Sequence, residues 1–223
     1  AVYQRRAAWR WKVESDGIGL AAPLAAYGGG RSRVIFCAYL RKVNRVSAIN
    51  KVLVTYATVS GSTAGVAEAI AAGLREQGLL VDVLPIRQAD PAAYAAVVLG
   101  SPIHGSQVLP EVLDFLRARR SELQGKPLAL FMVCITLAMR NGQRYQAHIL
   151  QNALEPVKAQ AQISQAALFA GVLDLKKIAD AKTRRMFRVA TWLGVWRQGD
   201  HRDWAAIAAW TKQIGPLLQV RQG

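Results

Sequence analysis

Between Tyr56 and Val66 the chain reads Ala57-Thr58-Val59-Ser60-Gly61-Ser62-Thr63-Ala64-Gly65, which sets four hydroxyl side chains and a glycine within the segment Thr58–Thr63. If a strand precedes this segment and a helix follows it, the chemistry it suits is binding of a phosphate monoester. Backbone N–H groups at a helix start point at an anion, and the helix dipole favours negative charge there. The hydroxyls of Thr58, Ser60, Ser62 and Thr63 add donors, and Gly61 lets the backbone come close. The segment has no lysine and lacks the G-x-x-x-x-G-K-[ST] pattern of nucleotide hydrolysis, and the G-x-G-x-x-G dinucleotide pattern is also absent. The plainer alternative is a polar turn in which Ser62 or Thr63 caps a helix.

The flanking pattern supplies the elements that would position this loop. Val52–Tyr56 is a short β-branched and aromatic run, and Val66, Ala67, Ile70, Ala71 and Leu74 follow at helical spacing up to Gly78. Further strands are expected at Leu80–Ile86, Tyr94–Gly100, Leu128–Val133 and Ala166–Leu173. Helices are expected around Val112, Phe115 and Leu116, over Gln143–Ala159, and around Trp204, Ile207, Ala208, Thr211 and Ile214. Five strands interspersed with four helices imply an α/β fold with a five-stranded parallel sheet covered on both faces. Ligands of such sheets sit at the carboxyl ends of the strands, which singles out the loops after the first, third and fourth.

Three segments in this order resemble the flavodoxin-like family, specifically its menaquinone-dependent protoporphyrinogen oxidase subgroup. They are the Thr-Val-Ser-Gly-Ser-Thr loop at 58–63, Gly100-Ser101-Pro102-Ile103-His104-Gly105 at the third strand exit, and Gly199-Asp200-His201-Arg202-Asp203-Trp204. The resemblance covers about residues 51–218 and implies a flavodoxin-like three-layer sandwich with non-covalent FMN. It implies a phosphate site at Thr58, Val59, Ser60, Gly61, Ser62 and Thr63. The isoalloxazine ring would lie between Ser101, Pro102, Ile103, His104 and Gly105 on one side and Cys134, Ile135, Thr136 and Leu137 on the other. Neither wall has the Trp or Tyr that often stacks on the ring, so His104, Ile103 and Leu137 would supply contacts. His104 reads equally as a flavin neighbour or an exposed loop residue, and Cys134 as a small buried hydrophobe. In the last segment, Asp200 or Asp203 is expected to cap the final helix and Trp204 to bury against the sheet.

The stretch Asp174–Gln198 is longer than a usual connection. It holds Lys176, Lys177, Lys182, Arg184, Arg185, Arg188 and Arg197 against Asp174 and Asp180. Met186, Val189, Ala190, Leu193 and Trp196 follow helical spacing, flanked by Phe187 and Trp192. This predicts a basic amphipathic helix within 182–197 that lies on an anionic membrane or covers an anionic substrate. The alternative is a helix that packs its apolar stripe on the domain. The resemblance implies a porphyrinogen substrate and a quinone acceptor in porphyrin biosynthesis. A one-electron carrier and a non-catalytic module that has lost flavin are the competing functions.

Formal net charge is +15 over 223 residues, and residues 51–223 carry 20 Lys/Arg against 12 acids. That basic balance weighs against the carrier, because carrier flavodoxins are usually acidic. Nucleic-acid binding has charge in its favour but no recognition motif. Residues 1–50, with Arg5, Arg6, Trp9, Arg10, Trp11 and Gly28-Gly29-Gly30, show no sustained period. They are expected to be a disordered or artefactual basic extension, with an anchoring arm as the alternative. Two cysteines and no long apolar run lead to the expectation of a cytoplasmic protein, and the basic helix together with the resemblance implies a peripheral position on the cytoplasmic face of the inner membrane as the alternative.

Overall fold

The computed structural model describes residues 51–178 and 180–219; the reading of residues 1–50 lies outside them. Strand β1 (Lys51–Tyr56) leads into helix α1 (Ser62–Glu76), then β2 (Leu80–Pro85) and β3 (Ala96–His104). The short β4 (Gln107–Val108) precedes α2 (Pro110–Ala118), α3 (Arg120–Leu123), β5 (Leu128–Cys134) and α4 (Gln146–Lys158). Next come β6 (Gln165–Ala170), β7 (Val172–Leu173), α5 (Ala181–Trp192), β8 (Gly199–Asp200) and α6 (Trp204–Leu218). The main sheet runs β2-β1-β3-β5-β6, all parallel, with β4 antiparallel on the end of β3.

Alternation along β1 divides the core. Val52 and Val54 face α1 and α6, packing with Ile70, Leu74, Ile207 and Ile214. Leu53 faces the other layer, where α2 and α4 contribute Val112, Leu116, Ile149 and Val157. Strands buried on both sides are continuous apolar runs, as β5 is at every position. Helix α6 contains Pro216, a residue costing about 3 kcal/mol in a helix interior. Burial of Ile207, Ile214 and Leu218, each contributing roughly 2 kcal/mol, outweighs it.

Two expected boundaries differ. The third strand runs past Gly100 to His104, because β4 folds back on it through a two-residue Gly105-Ser106 turn. Both turn residues have positive φ, 57° and 63°, which suits the twist of a tight hairpin. The fifth strand divides at Gly171: β6 stays in the sheet, while β7 peels away to pair antiparallel with β8. A continuous apolar run gives no local sign of that exchange of partners.

At the outer edge, Lys51 Nζ and the Tyr94 hydroxyl both reach Asp82 Oδ2 at 2.7 Å. Lys51 and then Tyr94 hold the Asp82 carboxyl below the usual carboxylate range. Burial, reinforced by Asp82, pushes the Tyr94 phenol up to about 12. Because the folded phenol binds its proton more tightly than an unfolded one, its stabilisation is complete below pH 10 and is lost as pH rises toward about 12. The Asp82 contribution has the opposite sense, present above the unfolded carboxylate pKa and lost below it. Urea unfolding of the wild type and Tyr94→Phe is therefore expected to show a stability gap that closes across the alkaline window. A gap independent of pH there would contradict this assignment.

Candidate functional site

The exits of β1, β3 and β5 stand side by side at the carboxyl edge of the sheet. The Ala57 N–H donates to Gly100 O at 2.9 Å, extending the β1–β3 pairing one residue beyond Tyr56. The chain then turns outward, and Thr58, Val59, Ser60 and Gly61 are all exposed. The Gly61 N–H donates to Thr58 Oγ1 at 3.0 Å, so Thr58 shapes the loop while its hydroxyl proton stays free to donate. Gly61 has φ of 88°, the left-handed region in which glycine carries no penalty.

Helix α1 begins directly after Gly61 with no side-chain cap and no acid in its first turn. The first N–H groups of a helix have no partner within it. Thr63 is fully buried, and its Oγ1 finds no hydrogen-bond partner. The plainer capping alternative is thereby removed, since neither Ser62 nor Thr63 caps the helix. Uncapped N–H donors, an unpaired hydroxyl and the flanking Ser60 and Ser62 fit a phosphate group.

The two predicted ring walls differ in character. Ser101, Pro102 and Ile103 are buried within β3, leaving His104 and Gly105 exposed. The Ser101 hydroxyl donates to Pro102 O at 2.8 Å and accepts from the Leu109 N–H at 3.1 Å, bracing the hairpin against α2. On the other wall Cys134 is buried in the core, Ile135 and Thr136 are half-buried, and Leu137 is buried. This segment forms a tight turn over Ile135–Ala138. Gly142 lies against it so closely that a Cβ there would strike Thr136 O and come within 2.8 Å of the Leu137 backbone.

The Gly199–Trp204 segment corrects one expectation and adds a feature. Asp203 caps α6, accepting from the Ala206 N–H at 2.9 Å. Trp204 remains 45% exposed and does not bury against the sheet. It instead lies under the Arg202 guanidinium, 4.3 Å from the ring centre. Asp200 holds Arg202 by paired hydrogen bonds, including Nε to Oδ1 at 2.8 Å, and Arg202 lowers the Asp200 pKa. The same guanidinium lies over Gly65 in the first turn of α1. Sequence reasoning missed this contact with the first turn of α1; the only local sign was an arginine between two aspartates.

A cavity of about 590 Å³ opens at the carboxyl ends of β5 and β6. Leu137, Met139 and Phe169 give it apolar walls, and Arg140, Arg197 and His201 give it polar ones. Among the described residues neither arginine is paired with a carboxylate. Arg197 comes from the basic insert, whereas Arg140 was missed in a stretch without periodicity. A second cavity of about 680 Å³, lined by Arg120 and Lys126, lies at the amino end of β5, away from these loops.

A parallel sheet of this strand order with an uncapped, hydroxyl-rich loop after its first strand defines a flavodoxin-like α/β domain. The family model described as the flavodoxin domain matches residues 53–196, and the chain belongs to that family. No curated protein matches the chain. Among solved structures it is similar to the rubredoxin oxygen:oxidoreductase of Desulfovibrio gigas, with TM-score 0.50 and 17% identity over 85% of this chain and 41% of that one. It is also similar to the flavodiiron protein of Giardia intestinalis, with TM-score 0.41 and 20% identity over 84% of this chain and 43% of that one. Flavodoxin 1 of Bacillus cereus matches with TM-score 0.40 and 22% identity, over 62% of this chain and 95% of that one. The chain thus spans less than half the length of the Desulfovibrio gigas and Giardia intestinalis structures. At these identities the likeness concerns the fold.

Proposed function

We propose that this domain binds FMN and transfers electrons through it. The observation that carries the reading is the uncapped α1 N-terminus with the unpaired Thr63 hydroxyl beside it, in a chain of the flavodoxin-domain family. The α1 N–H groups and the hydroxyls of Thr58, Ser60, Ser62 and Thr63 would hold the phosphate. His104–Gly105 and Ile135–Leu137 would border the ring, and their backbone would orient it. The flavin, when bound, supplies the acceptance and release of electrons, while the chain supplies position and electrostatics. Titration of the full chain with FMN, followed by flavin fluorescence, tests this: stoichiometric quenching is expected. A colourless protein that leaves FMN fluorescence unquenched overturns it.

The same reading predicts a role for the Thr136–Leu137 turn. Gly142→Ala forces that backbone outward, since carbonyl and Cα atoms cannot rotate aside as a side chain can. Overpacking of this kind costs about 1–3 kcal/mol. FMN affinity is expected to fall roughly tenfold, with the far-ultraviolet circular dichroism unchanged. Unaltered affinity would remove this turn from the ring site.

The finer reading is a quinone-linked dehydrogenase acting on a porphyrinogen. Its support is the cavity beside Leu137, where Arg140 and Arg197 suit substrate carboxylates and Met139 and Phe169 suit an apolar body. In balance, the substrate loses two hydrogens in each turnover and one quinone gains both as quinol. Anaerobic addition of a porphyrinogen should bleach the bound flavin, and quinone should restore its colour. Failure to bleach, with reversible reduction by a redox protein instead, would favour the one-electron carrier.

A further inference from the structure

We propose that the insert docks the protein on an anionic lipid surface through the outer face of α5. The helix starts at an Asp180 cap, whose Oδ2 accepts from the Thr183 N–H at 2.6 Å. Its inner side is tied down: Phe187 meets Trp196 edge to face at 5.2 Å, and Arg184 donates to Ile178 O at 3.2 Å. The chain then reverses at Gly194, with the Val195 N–H donating to Ala190 O. The sequence stripe is thereby split. Ala190 and Trp196 turn inward, while Met186, Val189 and Leu193 turn outward with Trp192, and no α5 residue is buried.

The outward set is unusual in degree. Met186, Val189, Trp192 and Leu193 are 58%, 51%, 84% and 63% exposed, and Val195 on the following turn is 41% exposed. Five of the nine large hydrophobics exposed among the described residues fall within these ten positions. Scattered exposed apolar residues need no explanation, but a contiguous patch does. Lys182, Arg185 and Arg188 are exposed beside the patch, no Asp or Glu occurs from 181 to 199, and no described carboxylate pairs with these cations.

Cationic stems around an apolar centre, with a tryptophan at the rim, match the boundary between headgroups and acyl chains. Twelve residues of helix reach about 18 Å, too short to cross a bilayer, and no described helix is long and apolar enough to do so. The helix therefore lies in the surface plane. A second copy fits poorly, because two equally basic faces would meet. Trp196 is bridged to Met139, which lines the 590 Å³ cavity, so the insert adjoins that cavity on its inner side. None of this depends on what the anion loop holds.

The test is co-sedimentation of the full chain with vesicles of phosphatidylcholine plus phosphatidylglycerol, against phosphatidylcholine alone. Binding is expected on the anionic vesicles only, weakening with added salt. Arg185→Glu with Arg188→Glu should reduce partitioning by roughly tenfold or more. Val189→Ser, Trp192→Ser and Leu193→Ser together should do the same with every charge retained. Because these side chains are exposed, circular dichroism and melting temperature should stay as in the wild type, which separates lost docking from lost folding. Equal binding to both vesicle types, absent binding, or binding indifferent to the serine triple variant overturns the proposal. So does self-association in the absence of vesicles that the triple variant abolishes, since a second copy would then cover the face.

Discussion

Gly61→Asp is expected to weaken FMN binding about a hundredfold at low ionic strength, while Gly61→Asn stays within a few-fold of the wild type. The pair isolates charge. Gly61 has φ of 88°, and a Cβ there meets nothing within 4 Å, so neither side chain clashes. Asn and Asp both tolerate the left-handed region better than other non-glycine residues. They differ in one negative charge set beside a phosphate that the uncapped α1 N-terminus is proposed to hold. Two unit charges about 5 Å apart repel by roughly 3 kcal/mol at the effective dielectric of a protein surface. That corresponds to about two orders of magnitude in Kd. The loop is exposed, so the effect should shrink as salt is added. Fluorescence titration at two salt concentrations measures both features. Equal affinities for the two variants would mean that the phosphate sits elsewhere.

Gly100→Ala is expected to destabilise the fold by about 3 kcal/mol, lowering the melting temperature by roughly 6–12 °C. Gly100 pairs directly with Phe131 across β3 and β5. A methyl at Gly100 would overlap Phe131 Cζ and approach Cε1 and Cε2 at 2.6 and 2.8 Å. The ring is fully buried within the layer that includes Val98, Val133 and Phe169, so it has no empty space to enter. The strain also reaches the candidate site, because Gly100 O anchors Ala57 at the start of the hydroxyl-rich loop. Phe131→Leu in the same chain should recover part of the loss by removing the obstructing ring edge. A double-mutant cycle in urea would register that coupling. An unchanged unfolding midpoint for Gly100→Ala would show that the two strands part more easily than their packing implies.

Local pattern made most of the architecture legible. The buried runs of β1 and β5 announced themselves by composition, and α1 by the spacing of Val66, Ile70 and Leu74. The hydroxyl-rich loop was equally readable as a loop at a helix start, because the hydroxyls, the glycine and the first turn of α1 are neighbours in the chain. In the structure these features acquire their physical meaning: the helix is left uncapped and Thr63 is left unpaired.

What escaped the sequence depends on partners far along the chain. Ala166 to Leu173 reads as one strand, yet Gly171 divides it because Gly199–Asp200 competes for Val172–Leu173. Trp204 looked like a core residue until Arg202, fixed by Asp200, took its face. Arg140 and Arg197 meet at one cavity although 57 positions separate them. The periodicity of α5 established that the helix has an apolar stripe, but periodicity carries no information about which neighbour occupies that side. Phe187 and Trp196 claimed the inner surface, and only that choice turned Met186, Val189 and Leu193 outward. Local sequence was enough for the elements and for the hydroxyl-rich loop between β1 and α1, since both rest on residues within one or two turns of each other. Tertiary structure alone decided which apolar and charged faces remain open, because exposure is set by competition among distant segments for the same surface.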